Sequence, residues 1–379
     1  MDRNVASAGA HALAASAPAV SASSPAASAP AVSVSAPAAN AGVPSVGAPA
    51  VSVSAPGKVN LFLALGAARP DGYHPLNTVF AQIGLSETVT VTPLQALTTT
   101  ASQPAPSSAR PASSATSASA QLAQSDSAPA AQLGSPRIEL ALTRPDSNVP
   151  LDHTNLAYRA AQSVAQQAAQ RGLATPDVHI LLDKAVPVAG GMAGGSADAA
   201  ATLKACNEFW QVGLSLEELA HLGAQLGADV PFGLYGGVAL GTGRGDLIEP
   251  LKAAPGPYYW TFALQDEGLS TAAVFKHFDA TVQAPPAADM PPEQLLAALE
   301  AGDVAEVSRH IRNDLQATAI DLRPELGQLI DLAKKAGALS AMVSGSGPTV
   351  AALSASRAVA ERVALCWSLT PFCDQVVTG

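Results

Sequence analysis

The chain has 379 residues, with 20 Lys and Arg against 30 Asp and Glu, a formal net charge of −10 and only 13% charged residues. No basic cluster interrupts that acidity, which argues against a nucleic-acid partner, and no apolar run approaches the ~18–20 residues of a membrane span. The three cysteines, Cys206, Cys366 and Cys373, lack metal-ligand spacing and read as reduced cytoplasmic thiols, while "HALAASAPAV" near the start is too broken by Ser and Pro for a signal peptide.

Residues 1–50 are mostly Ala, Ser, Pro and Val, and "APAVSVSAP" occurs twice, at 29–37 and 48–56. Residues 94–134 have the same character. Segments so poor in large apolar side chains cannot offset their ordering entropy, so both are expected to be disordered. The rest divides into an N-terminal domain, 51–254, and a C-terminal domain, 255–379, with the boundary near "EPLKAAPGPYY".

"AVSVSAPGKVNLFLAL" (50–65) alternates and then turns apolar, which predicts two strand segments around a Pro-Gly kink. "RPDGYHPL" carries a Pro-Asp-Gly turn signature, and "TVFAQIGLSETVTVTPL" and "RIELAL" supply further strands. "NLAYRAAQSVAQQAAQRG" is a helix with Gly172 as its C-terminal glycine. The apolar, β-branched "VHILLDKAV" is a strand, and a helix follows the glycine loop, with Ser196 or Asp198 near its start. "SLEELAHLGAQLG" opens on a capping box of Ser215 and Glu218, and "ADVPFGLYGGVALGTGRGD" reads as turns and strand. From 258 come a strand, the helix "TAAVFKHF", helices from 292 to 336, two strands flanking "SGSGPT", and a last helix and strand. Strands and helices mix without strict alternation, so the class is α+β.

The chemistry concentrates at "PVAGGMAGGSADAA" (187–200). A strand, a glycine loop and a helix start form an anion site, because unpaired N–H groups point outward and glycine lets the backbone approach closely. Ala197 follows Gly195-Ser196, so the Gly-Lys-Ser/Thr of a P-loop is missing, and the glycine spacing does not fit a dinucleotide fingerprint. By itself the loop reads either as a phosphate cradle or as a glycine-rich turn.

Three stretches in this order, "APGKVNLFLALGAARPDGYHPLNTVF" (55–80), the glycine loop and "MVSGSGPTVAAL" (342–353), resemble the three motifs of the GHMP small-molecule kinases. "LGADVPFGLYGG" (226–237) and "NDLQ" (313–316) add to the likeness. The first stretch is most similar to the branch that phosphorylates the 2-hydroxyl of a cytidine diphosphate–methylerythritol. A homoserine, mevalonate or sugar kinase of the same superfamily is the alternative. The resemblance implies a two-domain GHMP kinase fold, ribosomal protein S5 domain 2-like at the N-terminus and ferredoxin-like at the C-terminus. It also implies ATP and Mg²⁺, and a monomer or homodimer. Ala193 and Ala197 stand where many relatives have glycine and serine.

Site residues follow from the same resemblance. Asp229 would act as base or orienting carboxylate for the attacking hydroxyl, although alone it reads equally as a turn aspartate. Lys58 would sit beside it, where a positive charge favours loss of the hydroxyl's proton. Asn60, two residues on along the same strand face, would orient the substrate. Tyr73, His74 and Phe275 would hold the cytosine; unaided, Tyr73 reads as a packed aromatic and His74 as a turn histidine. ATP would meet Pro187, Ala189, Gly190, Gly191, Met192, Ala193, Gly194, Gly195 and Ser196, with Ser196 near Mg²⁺ and with Lys184 and Asn155 close by. Asn155 is equally well explained as a helix N-cap. Ser344 to Thr349 form a second glycine loop able to close on the site, or a plain turn between strands.

Overall fold

A computed structural model of the chain describes residues 50–94, 135–188, 191–256 and 258–379. The low-complexity readings at 1–49 and 95–134 lie outside the described residues, as do Ala189 and Gly190.

The first sheet is built on a long antiparallel pair, β1 (Val51–Leu65) and β2 (Leu76–Pro93). The start of β1 alternates in exposure and its remainder is nearly all buried, as the residue pattern demands. Where the sequence predicts a kink at Pro56-Gly57, β1 runs on unbroken and the pairing shifts register between Pro56 and Lys58. A second shift puts an extra residue between Asn60 and Phe62, a bulge of the kind that re-aims side chains beside functional sites. β3 (Ile138–Leu142) pairs in parallel with β4 (Val178–Asp183), and β4 pairs with the far half of β2.

Helix α1 (Leu156–Gln170) lies between them and ends as predicted: Gly172 has φ 72°, and Gly172 N–H and Leu173 N–H bond back to Ala169 and Ala168. α2 (Gly194–Phe209) follows the glycine loop, and its buried alanines let it lie close against α1 and the first sheet. α3 (Leu216–Leu226) carries the predicted capping box of Ser215 and Glu218. "VPFGLY", read from sequence as turn and strand, is the short helix α4 (Val230–Tyr235). Six residues are too few to show helical periodicity, but Pro231 in the first turn and Gly236 at φ 67° mark its ends. β5 (Val238–Thr242) pairs with the near half of β2 and with β6 (Leu247–Pro250).

The second sheet comprises β7 (Tyr259–Leu264), β9 (Ser340–Val343), β10 (Val350–Ser354) and β11 (Gln375–Thr378), in the order β11-β7-β10-β9 with every neighbour antiparallel. Between β7 and β9 run α5 (Thr271–Thr281), α6 (Glu293–Ala301), α7 (Val304–Arg309), β8 (Arg312–Asn313), α8 (Gln316–Leu322) and α9 (Glu325–Lys335); α10 (Arg357–Ser368) precedes β11. The strand order is that of a ferredoxin-like unit. Each sheet keeps a core of its own, and a third core joins them. Val59, Leu61 and Ile83 share one core with Trp260, Phe262 and Leu353, and β8 crosses the expected boundary to pair in parallel with β1.

Candidate active site

A cleft of about 600 Å³ opens where β1, β2, the start of α2 and the second glycine loop meet. Lys58 and Asn60 of β1, Thr78 and Phe80 of β2, and Asp229 ahead of α4 line one wall. Gly194 to Ser196 at the start of α2 and Gly345 to Gly347 of the second glycine loop line another part.

Lys58 is the buried cation of the group, 5% exposed. Its Nζ donates to Asn60 Oδ1 at 2.8 Å and lies 3.5 Å from Asp229 Oδ2. It also stands 5.6 Å from the ring centroid of Phe80, which packs on Phe232 of α4. Asn60 Nδ2 donates to Thr78 Oγ1, and the Thr78 hydroxyl donates to the Phe62 carbonyl, both at 2.7 Å. With its proton committed there, Thr78 accepts from Asn60, so Asn60 Oδ1 faces the lysine. Thr78 is a residue that sequence reasoning passed over inside the motif that contains it.

Asp229 occupies the N-cap position of α4, yet its side chain makes no cap hydrogen bond. A turn aspartate would bond the backbone ahead of it. This carboxylate faces Lys58 and the cleft instead, one-third exposed.

The first glycine loop leads into α2 beside these walls. Lys58 N–H donates to Met192 O at 3.0 Å, which ties β1 to the loop, and the Met192 side chain is core. The first intrahelical bond of α2 is Ala197 N–H to Ala193 O, and no side chain caps the helix. The N–H groups of Gly194, Gly195 and Ser196 therefore precede the hydrogen-bond ladder, at the positive end of the helix dipole. The sequence places Ser196 or Asp198 near the helix start; the helix begins at Gly194. Ser196 lines the cleft beside the Asp229 loop, since a Cβ added at Gly227 would stand 4.0 Å from Ser196 Oγ.

Ala193 adopts φ 59°, ψ 33°, a left-handed conformation that glycine accepts freely. The loop keeps its shape with alanine there at a cost of about 1–2 kcal/mol. Ala193→Gly should raise unfolding free energy by about 0.5–1 kcal/mol, the strain relieved less the entropy of the freer unfolded chain. Urea denaturation checks this, and an Ala193→Gly protein less stable than its parent contradicts it. Gly191 has φ 63°, and a Cβ there would lie 2.8 Å from Ser344 O, so only glycine fits where the two glycine loops touch.

Phe275 lines the cleft, and its ring centroid is 5.2 Å from that of His74. His74 is buried, with Nδ1 2.8 Å from Gly66 O and Nε2 3.1 Å from Asp279 Oδ1. Tyr73 is 55% exposed at the rim, with the Arg244 guanidinium 5.6 Å from its ring centroid. Tyr73 and His74 thus border the cleft without lining it, whereas Arg244 does line it. Arg244 could have been noticed as the cation inside the glycine-rich "GTGRGD" turn. Asp246 anchors it from 2.7 Å.

Two residues expected near the nucleotide also have partners within the fold. Asn155 is the N-cap of α1, accepting from Ala157 N–H at 2.8 Å and donating to Pro150 O at 2.6 Å. Lys184 Nζ sits between two buried carboxylates, 2.5 Å from both Glu87 Oε1 and Asp198 Oδ2. Glu87 also accepts from Ala185 N–H and packs against Gly194, so this trio grips both ends of the first glycine loop. Burial pushes the Asp198 carboxyl up to about 7, with the Glu87 charge adding to the rise and Lys184 opposing it. Burial also disfavours charge on Lys184, but the two carboxylates outweigh it and hold the ammonium more firmly than usual. Lys184 and Pro187 line a second cleft, of about 860 Å³, on the far side of the loop.

Two family models match the chain: "GHMP kinases N terminal domain" over 155–237 and "GHMP kinases C terminal" over 295–370. A 4-diphosphocytidyl-2-C-methyl-D-erythritol kinase of Streptomyces avermitilis is 42% identical over 313 residues, 82% of this chain and 89% of that protein. A crystal structure of 4-(cytidine 5'-diphospho)-2C-methyl-D-erythritol kinase superposes with a TM-score of 0.61 at 27% identity, covering 87% of this chain and 98% of that one. A homoserine kinase from Cytophaga hutchinsonii, at 17% identity and TM-score 0.58, covers 90% of this chain and 96% of its own and shares the fold. With this identity spread over four-fifths of its length, the chain belongs to the GHMP kinases, in the family of 4-diphosphocytidyl-2-C-methyl-D-erythritol kinases.

Proposed function

We propose that the chain transfers the γ-phosphoryl group of ATP to the 2-hydroxyl of 4-diphosphocytidyl-2-C-methyl-D-erythritol. The observation that carries this reading is Lys58 Nζ 3.5 Å from Asp229 Oδ2, in one cleft with the uncapped start of α2. Phosphoryl transfer asks for positioning and charge stabilisation more than for covalent chemistry. The N–H groups of Gly194 to Ser196 hold the phosphates, and Asp229 takes the hydroxyl's proton as the oxygen–phosphorus bond forms and the bond to ADP breaks. Lys58, oriented through Asn60 and Thr78, attracts the developing negative charge. The nucleoside end of ATP lies in the second cleft, against Lys184 and Pro187.

Mg²⁺ fits the donor set as an ion carried on the nucleotide. Among the described residues no three His, Cys, Asp or Glu side chains converge as a metal cage. Mg²⁺ in kinases keeps few protein ligands beside the substrate's phosphates. Ser196 Oγ would hold it, and when bound it neutralises phosphate charge. Cys206, Cys366 and Cys373 are free, which suits the reducing cytoplasm as the site of reaction. Among the described residues no helix is long and apolar enough to cross a membrane.

The cytosine packs at the rim between Tyr73 and Phe275, with His74 braced behind them. Stacking of a base on an aromatic is worth about 1–3 kcal/mol, so Tyr73→Ala or Phe275→Ala should raise KM for the cytidylated substrate by one to two orders of magnitude. KM for ATP should change little. ADP release measured with the cytidylated substrate, homoserine and mevalonate in parallel tests the whole reading. Turnover with homoserine or mevalonate alone would move the chain to another branch of the superfamily.

A further inference from the structure

The "NDLQ" stretch has no part in the chemistry above, yet it joins the two halves of the cleft. Backbone pairing sets Arg312 and Asn313 in parallel against Phe62 and Leu63 of β1. Asp314 N–H donates to Leu63 O at 3.0 Å, and Asp314 Oδ2 accepts from Leu65 N–H at 2.9 Å. The segment is thereby fastened to the strand that carries Lys58.

From that anchor the Asn313 side chain reaches the other sheet. Its Nδ2 donates to Val343 O and to Gly345 O, both at 2.8 Å, while its Oδ1 accepts from Leu315 N–H at 2.9 Å. Gln316 Oε1 accepts from Val343 N–H at 3.1 Å. The turn so held contains Gly345 at φ 57° and Gly347 at φ 80°, and Ser344 N–H to Thr349 O and Gly347 N–H to Ser344 O close it. Its Ser344 Oγ donates to Gly191 O at 3.3 Å, and its Gly345 to Gly347 line the cleft.

We propose that Asn313 is a positioning residue that latches the second glycine loop against the first and so fixes where the terminal phosphates of ATP rest. The proposal rests on the reading that these loops hold the nucleotide's phosphates. Both hydrogens of one amide are used, one on the last residue of β9 and one on the loop that follows it, so alanine removes the latch at once. Asparagine to aspartate keeps the size and the acceptor for Leu315 N–H but turns a carboxylate oxygen toward two carbonyls.

The test compares Asn313→Ala and Asn313→Asp in the full chain, with KM for ATP and for the cytidylated substrate measured separately. KM for ATP should rise about tenfold in the alanine variant, the loss of roughly one net hydrogen bond's worth of positioning. It should rise further in the aspartate variant, while KM for the cytidylated substrate holds within about twofold. Should the alanine variant fail to fold, the isosteric aspartate variant carries the comparison. An active variant with KM for ATP unchanged and only a lower melting temperature overturns the latch, as does a rise confined to the cytidylated substrate. A parent inert toward the cytidylated substrate would instead mark failure of the functional reading.

Discussion

Asp229→Asn is expected to lower kcat by about 10²–10⁴-fold, the range of a positioned general base. Asparagine keeps the side chain's size and cannot accept the hydroxyl's proton. The fold should survive, because Asp229 makes no cap hydrogen bond and its main contact is the ion pair with Lys58. Affinity for ATP should persist as well, since the start of α2 is untouched. Lys58→Met should also lower kcat, and the double variant should lose less than the product of the two effects, because the residues act as one unit. Single-turnover kinetics with equilibrium ATP binding provide the check. A folded Asp229→Asn enzyme with kcat within about threefold of the parent would make Asp229 a structural residue and require another base.

Lys184→Met should destabilise the protein by about 3–5 kcal/mol, the usual result of stripping the counter-charge from a buried ion pair. Glu87 and Asp198 would remain in the interior without their shared cation. The same cluster predicts a pH dependence in the parent. Asp198 titrates near 7 in the folded chain, against an ordinary value of 3.8. Between those pH values the folded protein holds a proton that the unfolded chain has lost. Unfolding free energy from this group therefore falls as pH rises from about 4 to 7, by on the order of 4 kcal/mol at most. Asp198→Asn should remove that slope, so variant and parent should differ most above pH 7, with the variant favoured. Denaturant titrations at pH 5, 6, 7 and 8 measure it. Parallel stability profiles for parent and Asp198→Asn would refute the assignment.

Local order was legible in the residues. Alternation and apolar runs mark β1 and β2, Gly172 marks the end of α1, and Ser215 with Glu218 marks the start of α3. Each of these signals reports hydrogen bonds and burial within a few neighbouring positions. The three motifs also pointed to the family. Short α4 escaped because one and a half turns carry no period to read.

Tertiary structure decided the rest. Lys58 and Asp229 belong to different elements, brought together by the packing of α4 on α2 and α3 and, through Phe232, on Phe80. Lys184 is expected from the sequence close to the nucleotide, with nothing to show its partners. In the fold its ammonium is held by Glu87 and Asp198, because two buried carboxylates need a counter-charge. The contact of Ser344 with Gly191 and the reach of Asn313 to Gly345 likewise join residues far apart in the chain. Side-chain chemistry, periodicity and motif order determined which elements form and which reaction class they serve. Which of those side chains face one cleft depended on the shared core of the two sheets, a property of long-range packing that no local stretch encodes.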